Sequence, residues 1–387
     1  MAKAGCRVAV LCPPGHPVRT VAGIALFGHQ WRTPLGGLMG AIAGSSADLI
    51  IPCDDRAVGY LHRLHASAPE ATRRLIERSI GVQTSYSIVA SRERLLSRAR
   101  ELGVQTAMGA EVSDERMLDT WMDEHQGPWV LKQSGSWGGM GVVIARDKRE
   151  ARRAFHKLRA RSGYFGALKR FFANHDPFWL ADLAADTGHE VSIQNFISGR
   201  RADLAAFACD GVVRATTMAQ TITSDGPTGP STLVQMIDDE AAREAARKLA
   251  RDLGLSGFFG LDFMIDEGTG AACLIEMNPR LTPLSNIRGD ALGDPIGAAL
   301  RACGLDAGAA ARPAAIGDLV VYFRNDTAPD VDQEATSDVV FDFPFEMKAL
   351  MAERRLVSWP ERHWLARMAA ACQALSLRMG RAPRVVK

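Results

Sequence analysis

The chain has 387 residues, 47% of them apolar and 23% charged, with a net charge of +2. That mixture is ordinary for a globular protein with core enough for two or three domains, and its charge balance argues against nucleic acid or a membrane surface as partner. Met1–Val10 lacks the apolar run of a signal peptide, and no stretch is long and uncharged enough to suggest a membrane span. Seven cysteines are scattered without a C-x-x-C pair, so neither a zinc site nor a disulfide framework is expected, and a reducing cytoplasm is the expected compartment.

The run Arg7–Cys12 predicts an apolar strand, ended by Pro13-Pro14-Gly15. A second strand is expected at Asp48–Pro52 after a helix, and apolar strands alternating with helices predict a parallel sheet. Asp54 and Asp55 follow that strand. They either cap the helix starting near Ala57 or face a ligand beyond the strand end.

Helical spacing predicts a helix over Ser91–Leu102 and another over Asp114–His125. The strand Trp129–Gln133 then runs into a glycine-rich loop, Gly135–Gly141, and a second strand, Val142–Arg146. A basic helix is expected at Arg149–Arg161, and strands near Glu190–Ile197, Ala202–Cys209 and Val212–Arg214. The small-residue stretch Ser224–Ser231 reads as a loop. Asp238–Leu253 is an amphipathic helix stopped by Gly254. The last segment, from about Pro313, looks like an appended unit. Its closing helix, Arg362–Arg378, reads as a packed surface helix, a lid or a homodimer contact.

Two stretches carry chemistry. The strands Gly260–Asp266 and Leu274–Arg280 flank a glycine-containing turn, Glu267–Gly270, suited to a hairpin. Pairing centred on Thr269 sets Asp262 opposite Glu276, with Asn278 on the same face. Facing carboxylates repel, and burial sharpens the conflict by pushing one pKa up. A divalent cation relieves it, and two carboxylates with one amide suit Mg2+ or Mn2+. The alternatives are a slipped register or two solvated carboxylates. In the second stretch, Lys132 precedes its glycines on a strand, unlike a Walker A lysine, and the glycines join two strands, unlike a Rossmann fingerprint. Two readings remain open for it: a plain hairpin, or a flap whose N–H groups cover phosphates while Lys132 reaches them as a point charge.

Taken together, the lysine strand, the glycine flap and, about 130 residues on, GLDFMIDEGTGAACLIEMNPR resemble the ATP-grasp superfamily over roughly Ser91–Gly304. The resemblance implies an α/β and α+β fold: an N-terminal parallel-sheet domain at 1–88, an ATP-grasp module at 89–312 with a flap subdomain at about 127–197, and a C-terminal extension at 313–387. It implies ATP between two subdomains, with Lys132, Gly138, Gly139 and Gly141 at the phosphates and Gln194, Asn195, Phe196 and Ile197 along the adenine. Asp262, Glu276 and Asn278 would hold one or two Mg2+ (or Mn2+) ions, and Arg280 would act with Lys132 on the transferring phosphoryl group. Arg94 takes the place of an earlier phosphate-binding lysine, Gln194 that of a carboxylate, and Arg201 that of a glutamate that holds ribose. Arg288, Arg214, Thr228 and Ser231 are candidates for the substrate side. The implied reaction activates a carboxylate as an acyl phosphate for attack by an amine. The alternatives are a carboxylase-like, carbamoyl-phosphate-type or phosphotransferase step, or nucleotide binding without turnover.

Overall fold

A computed structural model describes residues 1, 4–12, 18, 21, 23–28, 34–134, 141–160, 190–224, 228–289, 293–308 and 313–321. The predicted C-terminal helix, the centre of the glycine flap with Gly138 and Gly139, and residues 225–227 lie outside them. Strands β1 (Ala9–Cys12) and β2 (Ala25–Gly28) pair in parallel, Ala9 opposite Ala25. The expected strand Asp48–Pro52 is not one of them. Its apolar side chains are buried by docking instead: Leu49 and Ile51 pack with Phe207 and Phe258. Its backbone is held by Ser79, whose Oγ accepts from Ile50 N at 2.9 Å, and by Leu281, whose N donates to Pro52 O at 3.0 Å. The helix that follows, Asp55–His65, is capped by Asp54, whose Oδ1 accepts from Ala57 N at 2.7 Å.

A four-stranded antiparallel sheet comprises β3 (Gly109–Val112), β4 (Trp129–Gln133), β5 (Val142–Ala145) and β6 (Val191–Asn195), in the order β3-β6-β4-β5. Leu131 and Ile193 face the helices Glu115–Glu124 and Lys148–Arg159, whose Leu118, Trp121, Phe155 and Leu158 complete one core. The small sheet therefore takes in residues from 109 on, before the expected 127, because β3 supplies its outer strand. A helix precedes β4, and nothing in the short run Gly109–Val112 marks a strand before it is paired.

The larger sheet has β7 (Gly199–Cys209), β8 (Val212–Ser224), β9 (Ser231–Ile237), β10 (Gly257–Asp266), β11 (Ala272–Asn278) and β12 (Leu319–Val321), ordered β11-β10-β7-β8-β9-β12. Because β12 pairs with β9, the sheet runs past the expected boundary at 312. One face is covered by the helices Arg92–Glu101 and Glu240–Leu253, through Leu95, Leu249, Phe259, Leu261 and Phe263. The opposite face is covered by Leu284 and Ile287 over Ala205 and Ala219, and over Phe207 and Phe258 by Ala298 and Ala299 of the helix Pro295–Ala302 with Leu49 and Ile51. Alternation along the strands turns Asp203, Asp262 and Glu276 to this second face.

The two sheets meet at the edge strand β11, where Leu274 N donates to Gln105 O (2.8 Å) and Leu274 O accepts from Ala107 N (3.1 Å). The N-terminal helix Glu70–Ile80 clamps the start of β10: Gly257 sits at φ +76°, and a Cβ there would lie 1.9 Å from Ser79 O. Strain and clash act together, so Gly257→Ala should destabilise the fold by about 3 kcal/mol. The measurement is the urea midpoint, and an unchanged midpoint would show that the helix yields freely.

Candidate functional site

The hairpin is pinned at its tip by Asp266, whose Oδ1 accepts from Gly268 N (3.1 Å), Thr269 N (2.7 Å) and Thr269 Oγ1 (2.8 Å). Its register sets Asp262 opposite Glu276 and Gly260 opposite Asn278, so the expected facing carboxylates are present. A bulge follows Asp262: Phe263 pairs with Leu274, and Ile275 is the extra residue. The carbonyl of Ile275 is where the other sheet makes contact. Lys132 Nζ donates to it at 3.3 Å across 143 residues of sequence.

Lys132 is 5% exposed, on the face of β4 opposite the helix-covered core, with Ser192 of β6 beside it. Burial pulls its ammonium down to about 8, although Glu276 holds the charged form back toward its ordinary value. Arg92 arrives from a third direction. Ser91 caps the helix Arg92–Glu101, so Arg92 is its first helical residue, and its side chain reaches past the helix end to place Nη2 2.6 Å from Glu276 Oε1. A cation at a helix N-terminus opposes the dipole, a cost that the glutamate offsets. Burial alone would raise the Glu276 carboxyl, but Arg92 and Lys132 more than reverse this and hold it low.

Asp262 goes the other way. Burial, then Asp203, then Glu276 push it up to about 8, against Arg201 and an Asn278 hydrogen bond. Asp203 pairs with Asp262 across β7 and β10 and is itself raised by burial. A row of three carboxylates thus crosses three adjacent strands. Sequence reasoning missed Asp203; the signal was the alternation of Arg201 and Asp203 with apolar residues in a strand neighbouring the hairpin. It also missed Arg92 and pointed to Arg94, whose exposed side chain lines a shallow outer groove with Ser97 and Arg98. The N-cap at Ser91 was the clue to which arginine faces inward.

Arg280 lies two residues beyond β11. Its Nε donates to Asp55 Oδ1 (3.0 Å) and its Nη2 to Asn278 Oδ1 (3.1 Å), while Asn278 Nδ2 donates to Asp262 Oδ1 (3.0 Å). Asp54 is therefore the helix cap, and Asp55 faces the site through Arg280.

The other expected residues divide. Gln194 lies on the face of β6 that carries Ser192, is 1% exposed, and pairs with Gly109, where a Cβ would come within 2.7 Å of the Gln194 side chain. The N–H groups of Asn195 and Phe196 already donate to Met108 O (2.9 Å) and Pro128 O (3.1 Å), so a donor from this segment to a base falls to Ile197 or beyond. Gly141 O closes the β4–β5 hairpin by accepting from Gln133 N at 2.8 Å. Ser231 is near the carboxylates: its Oγ accepts from Arg201 Nη2 at 2.9 Å, and Arg201 Nη1 donates to Gly229 O at 2.7 Å. Thr228 is half-buried in the same turn. Two candidates lie apart. Arg288 is bound to Asp294 (2.7 Å) and to the carbonyls of Ala307 (3.2 Å) and Gly308 (2.8 Å), an internal brace. Arg214 is exposed beside Cys209, near the far end of β7 and β8.

Among the described residues, no group of three or more His, Cys, Asp or Glu side chains converges as a ready-made cage. The candidate cation ligands are two carboxylates and one amide, a hard oxygen set suited to Mg2+ or Mn2+. The fit is carried by Asp262: a half-buried carboxyl facing two others is short of positive charge. Around the cleft, Arg92 Nε and Nη1, Ser192 Oγ and Gln194 Nε2 are buried with no hydrogen-bond partner among the described residues. Buried donors left open in this way suit a polyanion with further hydrogen-bonding groups.

The Asp262 shift has a measurable consequence. The folded chain keeps this proton where the unfolded chain has released it, so stability falls as pH rises from 3.8 to about 8 and levels off above. Comparing urea midpoints of parent and Asp262→Asn without metal should reveal this fall, and Mg2+ should shrink it. Parallel profiles for the two proteins would contradict it.

No curated protein matches the sequence. Residues 100–283 match the family described as ATP-grasp domain. Among solved structures, the chain is similar to the N5-carboxyaminoimidazole ribonucleotide synthetase of Thermus thermophilus (16% identity, TM-score 0.55, 80% of this chain and 75% of that one). It is also similar to the Staphylococcus aureus N5-carboxyaminoimidazole synthetase complexed with ADP (15%, 0.53, 73% and 66%). A third is the biotin carboxylase domain of Hydrogenobacter thermophilus 2-oxoglutarate carboxylase, complexed with MgADP, ADP and bicarbonate (16%, 0.51, 73%). The chain spans about 60% of that last structure's length. Residues 100–283 thus match the ATP-grasp domain model, and the chain has the ATP-grasp fold, as the sequence motifs lead one to expect. No helix among the described residues is long and apolar enough to cross a membrane.

Proposed function

We propose that this ATP-grasp chain is an ATP- and magnesium-dependent ligase that activates a carboxylate as an acyl phosphate and joins it to an amine. The observation that carries the reading is the approach of Lys132 to the bulge at Ile275, which brings a cation of one sheet beside the carboxylates of the other. A cation on Asp262, Glu276 and Asn278 would supply charge neutralisation for the phosphates. Lys132 and Arg92 would bind the phosphate oxygens, each with its charge held in place by Glu276. Gln194 and Ile197 would orient the base. Arg280 would hold the transferring phosphoryl group and then the acyl phosphate, with its guanidinium steadied by Asp55.

In the first step a substrate carboxylate oxygen bonds to the γ-phosphorus and ADP leaves. In the second, the amine nitrogen bonds to the acyl carbon, inorganic phosphate leaves with the former carboxylate oxygen, and the nitrogen loses a proton. The protein need supply no covalent nucleophile, only position and charge. The similar folds that hold ADP or MgADP support this reading of the cleft. The test is incubation with ATP, Mg2+ and pooled carboxylates and amines, followed by phosphate assay and mass spectrometry. Phosphate release that needs both pools and yields a condensed product is the expected result. Release that needs neither would contradict the ligase.

A further inference from the structure

Asn278 holds its amide between two partners that fix its orientation. Nδ2 donates to Asp262 Oδ1 at 3.0 Å, and Oδ1 accepts from Arg280 Nη2 at 3.1 Å. The reverse orientation would set an amide N–H against a guanidinium N–H, and an oxygen against a carboxylate. As it stands, the amide turns its nitrogen toward Asp262, and nitrogen of an amide does not ligate a hard cation. A cation on Asp262 and Glu276 can recruit Asn278 only if the amide turns over. Its N–H2 then faces Arg280, two donors meet, and the guanidinium needs a new acceptor. Arg280 does not have to leave its place to find one, because Nε stays on Asp55 Oδ1 (3.0 Å) and the backbone N is fixed on Asn278 O (2.8 Å). The segment leading into the helix that Asp55 starts is itself tied to the residue after Arg280, since Leu281 N donates to Pro52 O at 3.0 Å.

From this chain of contacts we infer that Arg280 exchanges the Asn278 amide oxygen for an incoming phosphate-type anion while Asp55, a positioning residue, keeps it anchored, so that a divalent cation and an anion bind cooperatively. The inference rests on the reading above that Asp262, Glu276 and Asn278 hold the cation. Each ligand removes an obstacle to the other: the cation takes the amide oxygen from Arg280, and the anion takes Arg280 from the amide. Linkage makes the effect reciprocal.

The test uses the full chain and two probes, Mn2+ followed by electron paramagnetic resonance and inorganic phosphate followed by calorimetry. In the parent, phosphate should tighten Mn2+ binding about 10-fold. Arg280→Lys keeps the charge but loses the fork that spans Asp55 and Asn278. Without phosphate it should bind Mn2+ several-fold more tightly than the parent, about 3-fold or more, and phosphate should then add less than about 2-fold. A charge effect alone predicts no such gain. Asp55→Asn should weaken phosphate binding about 5-fold while leaving the affinity for Mn2+ alone unchanged. Parent-like Mn2+ affinity and coupling in Arg280→Lys, or parent-like phosphate affinity in Asp55→Asn, would overturn the proposal. A parent that binds Mn2+ but ignores phosphate overturns the coupling alone, whereas a parent that binds no Mn2+ overturns the cation site as well.

Discussion

Glu276→Gln should lower Mg2+-dependent turnover by at least about 10³-fold while the protein stays folded. The substitution keeps the size of the side chain and removes the negative charge on which the site is built. Glu276 faces Asp262 across the hairpin, accepts from Arg92 at 2.6 Å and holds Lys132 in its charged form. Its loss therefore acts three times. One cation ligand goes, Arg92 loses its acceptor, and Lys132 falls further below its ordinary value. The register is unaffected, because it is set by the turn at Asp266 and by the apolar pattern of β10. Steady-state kinetics with a thermal melt on the same sample checks both halves, and parent-like turnover would remove Glu276 from the site.

Lys132→Ala should weaken ATP binding by about 100-fold, since a buried point charge against phosphate is stronger than an exposed one. The parent should show a matching pH dependence. Because Lys132 loses its proton near pH 8, nucleotide affinity should fall as pH rises through that value, and the variant should lose the fall. Bound phosphates would add negative charge and move the midpoint upward, so the free protein sets its lower limit. Calorimetric titration from pH 6.5 to pH 9.5, on the order of three units of span, decides it. Equal affinities for the two proteins would place the phosphates elsewhere.

What the sequence made legible here depended on whether a residue's role was set by neighbours along the chain. Helix ends were readable because Ser91, Asp114 and Gly254 cap locally. The facing of Asp262 and Glu276 followed from a short turn and the period of two. The strand expected at Asp48–Pro52 failed because an apolar run says only that a segment is buried, not that it pairs. Asp203 was hidden for a related reason: its partner is on a strand some 60 positions away in the chain, at a register that no local signal fixes. Arg92 escaped notice and Arg94 did not, because charge alone does not tell which way the first helical residue points. The arginines at 214 and 288 show the limit of counting guanidinium groups, since one faces solvent and the other braces a loop.

The tether at Leu274 bears on how the site changes shape. Gln105 and Ala107 bond to an edge strand two residues from Glu276, so the stretch joining the helix Arg92–Glu101 to the small sheet is pinned beside the carboxylates. Seen mechanically, this is a fulcrum with a short arm and a long one. The carboxylate row sits next to the pivot and scarcely travels, whereas β5, at the outer edge of the small sheet, rides on the far arm. A movement of the small sheet then turns about anions that stay put, with Lys132 beside the pivot and Arg92 already on Glu276, and the chain needs no rearrangement of the large sheet to perform it.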